Sequence, residues 1–177
     1  RRRAGRGDAA LAAAVIGARL KRRLYRGGRP GRLMRAWNRV DAWWFARGPA
    51  RLPQAAVLEV RGRASGRARS VPLAVADVGD GEYLVSMLGP GAGWVRDVAA
   101  AGGRAVLHRR GRRRDVVLEP VPADAQVPVL RRYVAVAPGA RPHLGVGPGA
   151  SDAELRRLAG TVPVFRVVPA AGPEPGR

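Results

Sequence analysis

Between residues 61 and 73 the chain reads RGRASGRARSVPL, which places Arg61, Arg63, Arg67 and Arg69 around Gly62, Ser65 and Gly66. Guanidinium groups are planar, permanently charged donors that match phosphate or carboxylate oxygens. A glycine and serine turn can also aim backbone N–H groups into one concavity, a second source of donors for an anion. The chemistry on offer is anion binding. On these residues alone a solvated hairpin turn in an arginine-rich chain stays open as the competing reading. Two apolar runs position the turn, VLEV at Val57–Val60 before it and VPLAVADV at Val71–Val78 after it. Both are strand-like.

Other reactive groups are sparse. The absence of cysteine removes disulfides, thiol nucleophiles and thiolate metal sites. His108 and His143 are too few for a zinc centre. The formal charge of +20 raises nucleic acid or an anionic membrane surface as partners. Lys21 is the only lysine among 33 basic residues, however, and Ala, Gly, Pro and Arg are abundant together. That usage marks a GC-rich coding sequence, so part of the charge is codon bias. The charge is also uneven: residues 1–51 hold 15 basic and 2 acidic residues, net +13, against 18 and 11, net +7, for the remainder. No helix-turn-helix, RNA-binding aromatic motif or zinc finger supports a nucleic-acid partner. No apolar run reaches the roughly 18 residues of a membrane span. Ala9–Ile16 is too short for a signal peptide and runs straight into ARLKRRLYR.

The elements read in order as follows. Leu33, Trp37, Val40 and Trp44 form one stripe of an amphipathic helix over Leu33–Phe45, ended by Gly48-Pro49. Its apolar face suits the domain core, a membrane surface or the wall of a pocket. Strands follow at Gln54–Val60, Ser70–Val78 and Glu82–Leu88, then a glycine loop and a helix Trp94–Ala101 stopped by Gly102-Gly103. A hairpin Arg104–His108 and Arg113–Glu119 turns at Gly111. A helix over Ala123–Val136 contains Pro128, so it starts late or kinks. Ala137–Gly149 reads as a loop, Ser151–Leu158 as a helix with a capping box at Ser151 and Glu154, and Val162–Val168 as a last strand. The organisation predicted is a basic helical extension over 1–51, a cofactor-binding barrel over 52–169 and a disordered tail over 170–177. The fold class is α+β, mainly β: a barrel of about six largely antiparallel strands with peripheral helices. No GxGxxG and no β–helix–β alternation point to a dinucleotide fold.

GRASGRARSVPL resembles the G-R-x-S-G-x-x-R-x-x-P-L signature of the deazaflavin-dependent nitroreductase family of actinobacteria, through Gly62, Arg63, Ser65, Gly66, Arg69, Pro72 and Leu73. LVSMLGPGAGWVRDVAAAGG resembles that family's serine-ended strand, glycine loop and W-x-x-N helix, through Ser86, Gly89 and Trp94, with Asp97 in place of the asparagine. The closing PVFRV fits as well. The resemblance implies a split β-barrel that binds coenzyme F-420, an 8-hydroxy-5-deazaflavin whose tail carries phosphate and glutamates. Arg63, Ser65, Gly66 and Arg69 would hold the phosphate, with Pro72 in the same motif. Ser86, Met87 and Gly89 would lie against the ring, and Trp94 would be a lid, a pocket wall or core packing. Asp97 is expected to pair with Arg96, Arg104 or another arginine.

The implied reaction is hydride transfer from reduced deazaflavin to a quinone, an enone or a nitro-aromatic acceptor. Tyr133 is the candidate proton donor and His143 a second one; water would serve as well. The alternatives are an FMN-binding split-barrel reductase and a non-catalytic basic protein for nucleic acid or membrane. The implied setting is cytoplasmic, with peripheral membrane contact through residues 1–51, a small-molecule electron acceptor as partner, and a homodimer.

Overall fold

The computed structural model describes residues 52–170. The helix expected at Leu33–Phe45, the rest of the basic segment 1–51 and the tail 171–177 lie outside the described residues. Six strands, β1 (Ala55–Arg61), β2 (Ala68–Val78), β3 (Gly81–Val85), β4 (Arg104–Arg109), β5 (Arg112–Pro120) and β6 (Val164–Pro169), close into a barrel in the order β1-β2-β3-β6-β5-β4. Every pairing is antiparallel. Helix α1 (Gly93–Ala100) follows β3, and α2 (Gln126–Val136), α3 (Arg141–Leu144) and α4 (Asp152–Leu158) lie between β5 and β6.

Alternation decides which side chains fill the barrel. Ala56, Leu58 and Val60 of β1, Val75 of β2, Leu84 of β3, Leu107 of β4, Val116 and Leu118 of β5 and Phe165 and Val167 of β6 form one buried cluster. Trp94 and Val98 of α1 join it. Burial of Leu58, Leu84 and Leu107 contributes about 2 kcal/mol each to stability. A second cluster covers Ala76, Val85 and Val164 with Val129, Leu130, Tyr133, Val134, Leu144 and Leu155 of the three later helices.

Register sets the two ends of the barrel. Ala56 pairs with Arg109 and Glu59 with Val106, so the β1–β2 turn and the β4–β5 turn lie at opposite ends. The β4–β5 turn uses Arg110 and Gly111 at φ 50° and 73°, the positive values that suit a two-residue hairpin. At that end the inward positions are charged. Asp77, Glu82, Arg109 and Arg114 each lie two residues beyond an interior side chain, respectively Val75, Leu84, Leu107 and Val116. Arg109 keeps 2% of its side chain exposed, and all five of its N–H groups are used. Nε donates to Pro53 O at 3.2 Å and Nη2 at 2.6 Å; Nη1 and Nη2 donate to Asp77 at 2.6 and 2.7 Å; Nη1 also donates to Glu82. Arg114 donates to Glu82 at 2.6 Å.

Several boundaries differ from the sequence reading. β3 stops at Val85: Ser86 still donates its N–H to the facing Pro163 O at 2.9 Å, but Pro163 has no N–H to return, and Gly89 N turns the chain back on Ser86 O. The stretch expected as a loop over Ala137–Gly149 contains a 3-10 turn, Pro138–Ala140, and the short α3. α2 starts at Gln126, which leaves Pro128 in the first turn, where no N–H is required. The capping box is formed: Ser151 Oγ accepts from Glu154 N, and Glu154 accepts from Ser151 N.

Candidate functional site

The basic turn stands at the barrel end that α1 closes. Gly66 adopts φ 64° with open space around it, a conformation that strains any residue carrying a Cβ. Much of the turn's backbone is spent on the turn itself. Gly62 N donates to Arg67 O at 2.9 Å and Gly66 N to Gly62 O at 2.8 Å. Arg63 N donates to Asp97 at 3.2 Å and Arg67 N to Ser65 Oγ at 3.4 Å. Four amides are thus consumed in holding the turn together, and the guanidinium groups, the Ser65 hydroxyl and the Ala64 and Ser65 N–H groups remain as donors.

Two of those guanidiniums are fixed by one carboxylate. Asp97, on α1, is 1% exposed. Its Oδ1 accepts from Arg63 Nη1 at 2.7 Å, and its Oδ2 from Arg69 Nη1 at 3.1 Å. Arg63 Nη1 also reaches Gly93 O at 3.4 Å, at the start of α1. Neither Arg96 nor Arg104 is the partner; Asp97 is tied to the motif arginines themselves. The Arg63 and Arg69 side chains keep 42% and 49% of their surface exposed, and no hydrogen bond among the described residues claims their Nε and Nη2 groups.

From the turn, β2 runs along an open edge. β1 covers it over Ala68–Ala74, whereas β3 covers it from Val75 onward. Among the described residues no strand pairs with 68–73 on the second side. Val75 N donates to Gln54 O at 2.7 Å, so Val75 turns its backbone groups toward β1. By alternation Ser70 and Pro72 turn theirs to the open side. This explains how a proline sits in mid-strand: its missing N–H faces no partner.

The loop after β3 borders this edge. Ser86 is 1% exposed, and its hydroxyl donates to Gly89 O at 2.8 Å, while Gly89 N returns to Ser86 O at 2.9 Å. Ser86 therefore shapes the loop rather than offering its hydroxyl outward, and Gly89 takes φ 76°. Met87 packs against the second cluster. Leu88 is 44% exposed, an apolar side chain at the rim that sequence reading missed. Trp94 is buried and meets Phe165 edge-on, ring centroids 5.5 Å apart, as core packing rather than a lid. The structure thus brings Arg63, Ser65, Gly66, Arg69 and Pro72 along one edge, with Ser86, Met87 and Gly89 in the bordering loop.

Tyr133 stands apart from the turn, in the second cluster beside the outer face of the barrel. It is 4% exposed, burial pushes its hydroxyl up to about 12, and that hydroxyl makes no hydrogen bond among the described residues. His143 lies on α3. A cavity of about 460 Å³ opens at the other end of the barrel, but Asp77, Glu82, Arg109 and Arg114 on its walls are already paired with one another. No described helix is long and apolar enough to cross a membrane.

Residues 39–143, more than half of the chain, match the family described as F420H(2)-dependent quinone reductase. No curated protein matches the chain in sequence. A solved structure described as an F420-H2 dependent reductase shares 17% identity over 65% of this chain and 94% of its own, with a TM-score of 0.47. A protein of unknown function from Agrobacterium tumefaciens shares 13% over 73% of this chain and 54% of its own, at 0.50. A heme storage protein from Vibrio cholerae shares 13% over 76% and 92%, at 0.44.

Proposed function

The chain belongs to the F420H(2)-dependent quinone reductase family, and on that premise we propose that it transfers hydride from reduced coenzyme F-420 to a quinone, enone or nitro-aromatic acceptor. The observation that carries the placement is the pair of clamped arginines at one end of an open strand edge. A ligand with an anionic tail and a flat apolar ring needs both features in one line, and the β1–β2 turn, β2 and the 86–92 loop supply them.

Arg63 and Arg69 would hold the tail phosphate through their remaining N–H groups, with the Ser65 hydroxyl as a further donor. Gly66 leaves room for close approach. The open backbone groups of Ser70 and the Pro72 carbonyl can take the polar edge of the ring system, and Met87 and Leu88 offer apolar surface near Gly89. When bound, the deazaflavin supplies the two-electron hydride chemistry. The chain's own part is to orient it and to limit water around it.

No acid is required at the rim. Tyr133 is only 4% exposed, inside the cluster that Met87 packs against, and with its phenol so enclosed water is the proton source we favour. Tyr133→Phe is therefore expected to keep turnover within about twofold; a fall of about a hundredfold would assign the phenol as donor. The direct test of the whole reading is a fluorescence titration of the protein with coenzyme F-420 and, separately, with FMN. Saturable binding of F-420 tighter than FMN is expected. Binding of FMN alone would replace the deazaflavin with the flavin.

A further inference from the structure

Asp97 does more than tether. We propose that it is a positioning residue that sets which phosphate the turn accepts, favouring a singly charged diester over a doubly charged monoester. The inference rests on the deazaflavin reading above and adds to it a source of discrimination.

One carboxylate, 1% exposed, is shared by two guanidiniums at 2.7 and 3.1 Å. The three groups together carry a net single positive charge where two arginines alone would carry two. Each arginine spends its Nη1 on Asp97, while 42% and 49% of the two side chains stay exposed to a ligand. A phosphate within a tail is bonded on both sides and bears one negative charge, which this trio balances. A terminal phosphate bears close to two at neutral pH and above. Its second charge would meet Asp97 behind the arginines without a compensating cation. Arg61 and Arg67 are also exposed on the turn, but no ion pair fixes them among the described residues; as solvent-screened charges they favour the dianion weakly and equally in wild type and variants, so they cancel from the comparison between them.

FMN ends in a monoester, whereas the phosphate of coenzyme F-420 lies inside its tail, so the two cofactors are the probes. Dissociation constants for both are measured by fluorescence at pH 8 in the wild type, in Asp97→Asn and in Asp97→Asn with Arg69→Gln. Removing the carboxylate's charge is expected to improve FMN relative to F-420 by about fivefold, the scale of one partly exposed charge interaction. The double variant restores a net single charge and should bring the ratio back to that of the wild type. If Asp97 merely holds the turn in shape, Asp97→Asn weakens both ligands equally, the ratio stays fixed and the proposal is overturned. An improved ratio that persists in the double variant overturns it too, because charge would not be the cause. Failure of the wild type to bind F-420 at all is a different result and removes the deazaflavin reading itself.

Discussion

Replacing Arg63 and Arg69 together with alanine is expected to raise the dissociation constant for coenzyme F-420 about a hundredfold. The figure takes about 1.5 kcal/mol for each charge-assisted contact, the lower end of the range, because both side chains are 42% and 49% exposed. The substitution must include Asp97→Asn. Otherwise it strands a buried carboxylate whose only remaining partner is the Arg63 N–H, and the resulting loss of stability would be mistaken for loss of binding. The control is Arg112→Ala with Arg113→Ala, two exposed arginines at the β4–β5 turn. That turn lies at the opposite end of the barrel by the β1–β4 register, so the control should bind as the wild type does. Comparable weakening in both variants would mean that the cofactor responds to the diffuse positive field of the molecule and not to the turn. Titrations at low and high salt separate the two cases further, since a diffuse field is screened more strongly than a fixed contact.

The turn and the strands around it were legible because local rules and tertiary packing agree there. Alternating apolar residues bounded by glycine fixed five of the six strands to within two residues, and Ser151 with Glu154 announced α4. The discrepancies share a cause: groups that local sequence leaves unassigned are claimed by distant partners. Ser86 looked like part of a continuing strand, but the facing Pro163 offers a carbonyl and no N–H, and Gly89 turns the chain back onto Ser86. The glycine turn looked like an anion nest, yet its own carbonyls, the Ser65 hydroxyl and Asp97 absorb four of its amides. Pro72 was noticed as part of a motif, but its mid-strand position also signalled an open edge, which could have been read without any motif. The hairpin reading of HRRGRRR at residues 108–114 singled out none of its arginines. Counting by two from Leu107 would have put Arg109 on the inward face, where an arginine demands carboxylates.

That inward arginine gives the largest expected effect on stability. Arg109→Ala leaves Asp77 and Glu82 without their shared partner and empties the last layer of the barrel; because Asp77 and Glu82 are 35% and 21% exposed and keep Arg110 and Arg114 beside them, it should cost about 2–3 kcal/mol, below the scale for a fully buried pair. For a domain of this size that is a large part of the whole and corresponds to a fall in Tm on the order of 10 °C. Arg109→Met combined with Asp77→Asn and Glu82→Gln should fall by less, because the charges it leaves without partners, Arg110 and Arg114, are solvent-exposed. If the single variant proved as stable as the wild type, the layer would be surface decoration. The pH dependence follows from the same contacts. The Arg109 hydrogen bond holds Asp77 below its ordinary 3.8, with Arg110 and Arg132 adding to the pull. Burial acts to raise Glu82, but hydrogen bonds from Arg114 and Arg109 outweigh it and keep it below its ordinary 4.5. Carboxylates lowered in the folded state stabilise it fully above their unfolded values and lose that contribution as the pH falls through their folded ones. Wild-type Tm should therefore hold steady down to those ordinary values, 3.8 and 4.5, and drop below them. The neutralised triple variant, lacking both carboxylates, should show a visibly flatter acid limb in the same thermal scans.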